Sequence, residues 1–344
     1  MQTSHRGSVC GGSSMPVRGL IQGVGVLTSL VAFGLPAFAD MGRAPTVQGT
    51  YLSFEGGYLL QDAAGVIGHG ISSTPGVTED ITVNPRDGWF AGGLVGFASK
   101  DRYVAGLPFN RIELYGLYGR TEDGILHTAP PLGDISLKND DATALIAGGK
   151  SGSTSVERWI AEGQVRFEGD DIINATSSVT WVVAPFVRWS GEDVTTVVTG
   201  CCDLIRNASV ETRMYGIVVA AEPEIWLTPQ MALVGRIGAG LYGFNADGDY
   251  RSHSTLPGPA DPFAAALSDS DSGVGFRGQL GAGLKFKLTS TANLETFAEA
   301  DYFSDAGHAS TANNQPGDTN VSHTSSTDLW ELRAGARITI GFGP

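Results

Sequence analysis

The chain has 344 residues and a formal net charge of −14, and glycine accounts for 48 of the residues. This acidic balance argues against nucleic acid as a partner, because nucleic-acid-binding domains usually carry a basic surface. Three cysteines in this length exclude a disulfide framework as the basis of the fold.

Residues 1–39 have the parts of a secretory signal. A positively charged start precedes an apolar segment at 19–35, and 37–39 matches a small-x-small cleavage site. We therefore predict a cleaved signal peptide, a short periplasmic lead at 40–49 and one domain over 50–344. The alternative is a helical membrane anchor, which is disfavoured because the apolar core is short and ends at a proline.

Alternation of apolar and polar residues along this domain predicts strands. In chain order they are 50–60, 88–99, 109–120, 154–168, 176–190, 209–227, 231–244, 273–288, 294–303 and 329–342. Long connections follow the odd-numbered strands and short ones follow the even-numbered strands. This pattern is typical of outer-membrane barrels, which have short periplasmic turns and long extracellular loops. Pro185 and Pro223 predict local breaks in the fifth and sixth strands.

The last strand gives the clearest signal. Every second residue from Trp330 to Phe342 is apolar, and the residues between them are charged, polar or glycine. The strand is about twice the usual length of a soluble strand, and it suits a tilted bilayer crossing with an aromatic residue at each interface. We predict an all-β fold, a closed antiparallel up-and-down transmembrane β-barrel of about ten strands. The alternative is a soluble β-sandwich or propeller, in which such strands are rare.

With these features the chain resembles bacterial outer-membrane β-barrel proteins of the small single-chain class, which have roughly 8–12 strands. The resemblance covers about 50–342 and depends on the signal segment, the alternation and the final aromatic residue, Phe342. It implies an outer-membrane location, contact with lipid and lipopolysaccharide, and recognition of Phe342 by the barrel-insertion machinery. The chain departs from the family by adding Gly343 and Pro344 after that aromatic residue. We expect no cofactor.

Charged residues on the polar faces of the strands are expected to line the barrel lumen. They are Glu55, Arg111, Glu113, Arg158, Glu162, Arg166, Arg188, Glu222, Glu224, Arg236, Arg277, Lys285, Lys287, Glu295, Glu299, Asp301, Glu331, Arg333 and Arg337. Their signs are nearly balanced, and an unpaired buried charge is costly. We therefore expect ion pairs that plug the lumen and hold the barrel shape. A narrow ion path lined by charge is the alternative.

Aromatic residues near the ends of the apolar faces are expected to form the two girdles at the membrane interfaces. The predicted girdle residues are Trp159, Phe167, Trp181, Trp189, Phe276, Phe286, Trp330 and Phe342.

The five long loops predicted here hold 20 acidic and 5 basic residues. Such a surface is usually just solvated, although hard cations prefer several oxygen ligands. Residues 245–249 have the composition of a calcium loop but lack its spacing and its distal glutamate, so we assign no metal site. Cys201 and Cys202 in the third loop are two free thiols, a vicinal disulfide or one bond to a partner, and we assign them no catalytic role.

Three classes of function remain open. The size of the loops favours a structural or surface-interaction role, because loops on a rigid scaffold commonly carry recognition. A narrow porin-like channel for small ions or solutes is the first alternative. The second is an outer-membrane protease or lipid-modifying enzyme, whose catalytic groups often lie in loops. Five histidines fall in the predicted loops, but no spacing among them requires a catalytic pair, and we expect no enzymatic activity. They are His69, His127, His253, His308 and His323.

Overall fold

The computed structural model describes residues 49–62, 66–74, 77–99, 109–128, 134–137, 145–149, 151–200, 203–255, 265–309 and 324–342. The predicted signal peptide, the lead as far as residue 48, Cys201, Cys202 and His323 lie outside these ranges. Within them, no helix is long and apolar enough to cross a membrane.

The described residues form fourteen β-strands. They are β1 (Gly49–Asp62), β2 (Val66–Thr74), β3 (Val77–Val83), β4 (Asp87–Ala98), β5 (Arg111–Thr128), β6 (Asp134–Leu137), β7 (Leu145–Gly149), β8 (Ser151–Asn174), β9 (Ser177–Thr199), β10 (Leu204–Thr228), β11 (Met231–Ser254), β12 (Ala265–Lys287), β13 (Ala292–Ala309) and β14 (Thr324–Phe342).

Ten of these strands form a closed antiparallel barrel in the order β1-β14-β13-β12-β11-β10-β9-β8-β5-β4. Each strand pairs with the barrel strands before and after it in the chain, and the pairing of β1 with β14 closes the ring. The predicted up-and-down barrel is therefore confirmed, and each of the ten predicted strands corresponds to one barrel strand.

The barrel has two ends, which we name by their connections. At the turn end, short turns join β8 to β9, β10 to β11 and β12 to β13. At the loop end, the chain passes from β1 to β4, β5 to β8, β9 to β10, β11 to β12 and β13 to β14. The remaining strands form a separate four-stranded sheet in the order β3-β2-β6-β7. They belong to the first two loop-end connections, so the prediction that these were loops throughout was wrong.

Most barrel strands are longer than predicted because their outer faces change from apolar to polar toward the loop end while the strands continue. In the lower part of β9, Trp181 is exposed on the outer face and Arg188 is buried on the inner face. Further along β9, Asp193 is exposed on the outer face, and Glu192 and Val194 are buried on the inner face. The strand keeps its two-residue period throughout. Only the outer face changes its polarity, while the inner face stays buried and carries both charged and apolar side chains.

The predicted third and fourth loops are therefore largely strand. β9 ends at Thr199 and β10 begins at Leu204, so the third connection is a tight one. Strands β8 to β12 have 23 to 25 residues each, which corresponds to roughly 80 Å along the strand.

Two prolines interrupt the ladder of paired residues. The pairing of β8 with β9 skips Pro185, although the register is the same on both sides of the gap. The pairing of β10 with β11 skips Pro223 in the same way. Proline has no backbone N–H to donate to the ladder, so each predicted local break occurs without a change of register.

Candidate functional site

The outer face of the barrel carries an apolar band between two sets of aromatic side chains. Of the predicted girdle residues, Trp159, Trp189, Phe276 and Trp330 lie toward the loop end, and Phe167, Trp181, Phe286 and Phe342 lie toward the turn end. Trp330 contacts Tyr302 in a tilted arrangement, with ring centroids 4.9 Å apart, and Trp89 contacts Tyr118 with ring centroids 5.7 Å apart. Tyr302, Trp89 and Tyr118 were not predicted as girdle residues, although they alternate in phase with the apolar residues of their strands. A band of this kind is the lipid-facing surface of a transmembrane barrel.

The predicted lumen residues fall into two groups, and two residues lie outside both. A central network at mid-height contains Glu162, Arg188, Arg277, Glu299, Asp301, Glu331 and Arg333. A cavity at the turn end is lined by Glu55, Arg111, Glu113, Arg166, Glu222, Glu224, Arg236, Lys285, Glu295 and Arg337, with Glu299 at its border. Two residues belong to neither group: Arg158 lies toward the loop end, and Lys287 is half-buried at the end of β12.

The central network is held by arginines that each contact two carboxylates. Arg277 places Nη1 2.9 Å from Glu162 Oε1 and Nε 3.1 Å from Asp301 Oδ1. Arg333 places Nη2 2.7 Å from Asp301 Oδ2 and 3.0 Å from Glu299 Oε2. These links join strands β8, β12, β13 and β14 across the lumen, so the network braces the wall from the inside.

Arg188 completes the network on the opposite side. Its guanidinium pairs with Glu331 and lies 3.2 Å from Glu162 Oε2. The Nε2 of Gln61 donates a hydrogen bond of 2.7 Å to Glu331 Oε1, and the Nε2 of Gln279 donates one of 2.7 Å to Asp301 Oδ1. Neutral amides therefore supply the hydrogen bonds that these two carboxylates need beyond their ion pairs.

Two buried aromatic rings pack against the guanidinium groups of Arg188 and Arg277. The Phe303 ring lies 4.4 Å from Arg188 Cζ and 4.9 Å from Arg277 Cζ, and the Phe186 ring lies 4.9 Å from Arg277 Cζ. Cations are attracted to the faces of aromatic rings. Neither ring was predicted, because only charged residues were expected to line the lumen. Each ring lies two residues from a predicted lumen residue, Arg188 or Asp301, and this spacing was the one indication in the sequence that the ring faces inward.

The interior at this height is filled with side chains. Arg188, Arg277, Asp301 and Glu331 are each 1 % exposed. A large apolar cluster packs beside these charged side chains and continues toward the loop end; its member Met214 is fully buried and lies directly opposite Arg188. Charged and apolar side chains together fill the lumen at this height.

The cavity at the turn end has a volume of 220 Å³. Tyrosine hydroxyls reach its carboxylates: Tyr51 donates a hydrogen bond of 2.5 Å to Glu113, and Tyr115 donates one of 2.6 Å to Glu55. Arg337 Nη2 lies 2.6 Å from Glu55 Oε2. The cavity is therefore a polar vestibule that ends at the central network.

The other mouth of the barrel is occupied by the last residue of β3 and the segment that follows it. Val83 is 3 % exposed within the apolar cluster. The Nη1 of Arg158 donates a hydrogen bond of 2.8 Å to Asn84 Oδ1, while its Nε is bound to Glu192. This first connection is therefore anchored inside the loop-end mouth.

Residues 245–249 do not form a loop. They lie within β11 and pair with β10 on one side and β12 on the other. In the part of the chain that the structure describes, no three His, Cys, Asp or Glu side chains are grouped so that they could hold a metal ion.

Four of the histidines that were predicted in loops lie in strands instead. His69 is in β2, His127 in β5, His253 in β11 and His308 in β13. For His127, His253 and His308 the prediction was wrong because the barrel strands continue past the point at which their outer faces become polar, whereas His69 lies in the separate four-stranded sheet.

No protein-family model matches the chain, and no curated protein matches it. Among solved structures, the outer-membrane protease OmpT from Escherichia coli shares 8 % identity with a TM-score of 0.49, over 88 % of this chain and 100 % of OmpT. The translocator domain of the autotransporter NalP from Neisseria meningitidis shares 10 % identity with a TM-score of 0.35, over 95 % and 97 %. The attachment invasion locus protein Ail of Yersinia pestis, in complex with the heparin analogue sucrose octasulfate, shares 12 % identity with a TM-score of 0.22, over 84 % and 99 %.

The environment for which the barrel is built follows from its own architecture. Ten antiparallel strands close into a ring, apolar side chains such as Leu241, at 62 % exposure, cover its outer face, and charged side chains are buried inside. This arrangement inverts that of a soluble protein and matches a barrel that uses hydrocarbon as its outer solvent. The chain folds as a ten-stranded transmembrane β-barrel of the outer-membrane type.

Proposed function

We propose that this protein is a closed, non-conducting barrel that presents an interaction surface at its loop end. The observation that carries the proposal is the burial of the central network, in which Arg188 and Glu331 are each 1 % exposed. An open path for ions through this height requires these side chains to move apart. Separating buried ion pairs leaves charges without partners, at a cost of several kcal/mol.

The loop end has the properties of a rigid recognition surface. Strands β8 to β12 continue past the aromatic girdle as paired strands, and their inner faces pack an apolar core of their own. Their outer faces are polar, with exposed acids such as Asp193, Glu211, Asp247 and Asp249. A surface held by paired strands can contact a partner without first paying the entropy of ordering a loop.

The remaining surfaces have proposed partners as well. We assign the apolar band to lipid and lipopolysaccharide, and Phe342 at the end of β14 to recognition by the barrel-insertion machinery. Phe342 is 58 % exposed on the outer face, where another protein can reach it. The proposal includes no catalytic step.

Planar-bilayer recording tests the closed lumen. We expect the wild-type protein to give no current steps above the lipid background. The matched control is the quadruple variant Glu162→Ala, Arg188→Ala, Arg277→Ala and Glu331→Ala, which removes two acids and two bases and shortens the side chains that fill the lumen. We expect this variant to conduct, provided that its heat-modifiable gel migration shows a folded barrel. Steady current through the wild-type protein would refute the proposal and favour the narrow channel.

A further inference from the structure

The turn-end cavity is a dead-end pocket with an opening on one side only. Its lining includes residues 174–178 of the β8–β9 turn at the mouth, and Glu299, which contacts Arg333 of the central network, at the inner end. Its volume is 220 Å³. A pocket of this size accommodates a small organic group rather than a folded domain.

The described residues that line this pocket include eight carboxylates and five cationic side chains. Each of the cations already contacts a carboxylate. Arg111 lies 2.6 Å from Asp170, Lys285 lies 2.7 Å from Glu224, and the other three have partners at similar distances. The wall therefore carries an excess of three negative charges that its own cations do not balance. Such an excess in a partly buried site is costly and favours a bound cation.

The accessible carboxylates of the wall lie near the opening, and each of them also contacts a cation of the wall. The side chains of Glu222, Glu224 and Glu295 are 26 %, 23 % and 20 % exposed, whereas that of Glu55 is 2 % exposed. Hydroxyl groups of Ser177 and Thr180 also line the pocket. A ligand that enters from the turn end meets these acceptors first.

The pocket suits an organic cation better than a coordinated metal ion. The described residues contain no grouping of three potential metal-ligating side chains. A pocket wall with dispersed carboxylates and hydroxyls instead matches a group that donates several hydrogen bonds over a larger volume. We propose that the pocket binds an organic cation with an ammonium or guanidinium group, either a free diamine or the basic side chain of a peptide. This site is separate from the loop-end surface and does not depend on its function.

Isothermal titration calorimetry of the intact detergent-solubilised barrel tests the proposal. The probes are 1,4-diaminobutane and a short amidated peptide with one arginine, and magnesium chloride is the comparison. We expect at least one organic probe to bind, and binding of only the diamine or only the peptide identifies the source. The double variant Glu224→Gln and Glu295→Gln should weaken that binding about tenfold. Glu122→Gln with Glu211→Gln removes the same charge outside the pocket and should leave binding unchanged.

One further variant separates binding from damage to the fold. Lys285→Met increases the negative excess of the pocket, so it should tighten binding severalfold, which an unfolded barrel cannot do. The proposal is overturned if neither organic probe binds, if both double variants weaken binding equally, if Lys285→Met fails to tighten it, or if magnesium binds in place of the organic probes.

Discussion

Replacing Arg277 by methionine probes the central network directly. The side chain is 1 % exposed, contacts Glu162 and Asp301, and lies against the rings of Phe186 and Phe303. Methionine keeps much of the apolar length and removes the charge. The variant therefore leaves the network with one buried cation fewer than the wild type.

The expected loss of stability follows from the partners that remain. Removing one member of a buried pair typically costs about 3–5 kcal/mol. Asp301 keeps Arg333 at 2.7 Å and Gln279 at 2.7 Å, and Glu162 keeps Arg188 at 3.2 Å. These residual contacts place the expected loss at the lower end, about 3 kcal/mol. Adding Glu162→Gln restores the net charge that the network has in the wild type, and we expect it to recover at least half of that loss.

Urea unfolding in lipid vesicles, followed by the fluorescence of the six tryptophans, measures both effects. The control is Arg213→Met, because Arg213 is 47 % exposed and forms a surface pair of 3.0 Å with Glu211. Exposed pairs of this kind contribute about 1 kcal/mol or less. The reasoning fails if Arg277→Met costs no more than Arg213→Met, or if Glu162→Gln makes the Arg277→Met barrel still less stable.

Three further predictions concern other parts of the structure. Asp247 lies directly opposite Glu211 on the outer face, so Asp247→Asn should raise the free energy of unfolding by about 0.2–1 kcal/mol, and unchanged stability would contradict this repulsion. A Cβ at Gly57 would lie 2.2 Å from a backbone oxygen, whereas one at Gly163 would lie 3.6 Å from a methyl group; Gly57→Ala should therefore lower the melting temperature and Gly163→Ala should not. Val83→Asp places a charge in the apolar cluster and should speed protease cleavage of the first connection while the barrel stays folded. Equal cleavage of both proteins would show that this segment is not anchored.

The ten strands were predictable because the outer face of each strand meets hydrocarbon. From Trp330 to Phe342 that face is continuous in both the sequence and the structure. The upper parts of β9 to β11 were not predictable from the same rule. There, water replaces lipid, and residues such as Asp193 and Asp249 occupy outer positions that are apolar lower in the barrel. A rule that allowed polar residues at the outer positions, with the same two-residue period, would have extended these strands.

The sequence predicts which face of a strand each site residue lies on, but not its position along the barrel axis. Alternation correctly placed Arg158 and Arg188 on inner faces. It did not show that Arg158 lies near Asn84 toward the loop end while Arg188 joins the central network, because height depends on the stagger between strands. Nor could it show the pairing of Arg188 with Glu331, which are 143 residues apart in the chain. The small sheet was missed for a different reason: its strands are short, and β6 has only four residues, too few to show a clear alternation.

The central network also determines which register the barrel can adopt. A shift of one residue in the pairing of a strand moves all of its side chains to the opposite face. In β14 this shift would expose Arg333 and Arg337 to hydrocarbon and bury Leu332 and Ile338 among ion pairs. An arginine on the lipid face near the midplane costs about 2–4 kcal/mol, and each carboxylate that loses its arginine adds a further penalty. The charges inside the barrel therefore oppose misregistered pairing even if an apolar filling would give similar stability, and this selection acts on every strand that contributes to the network.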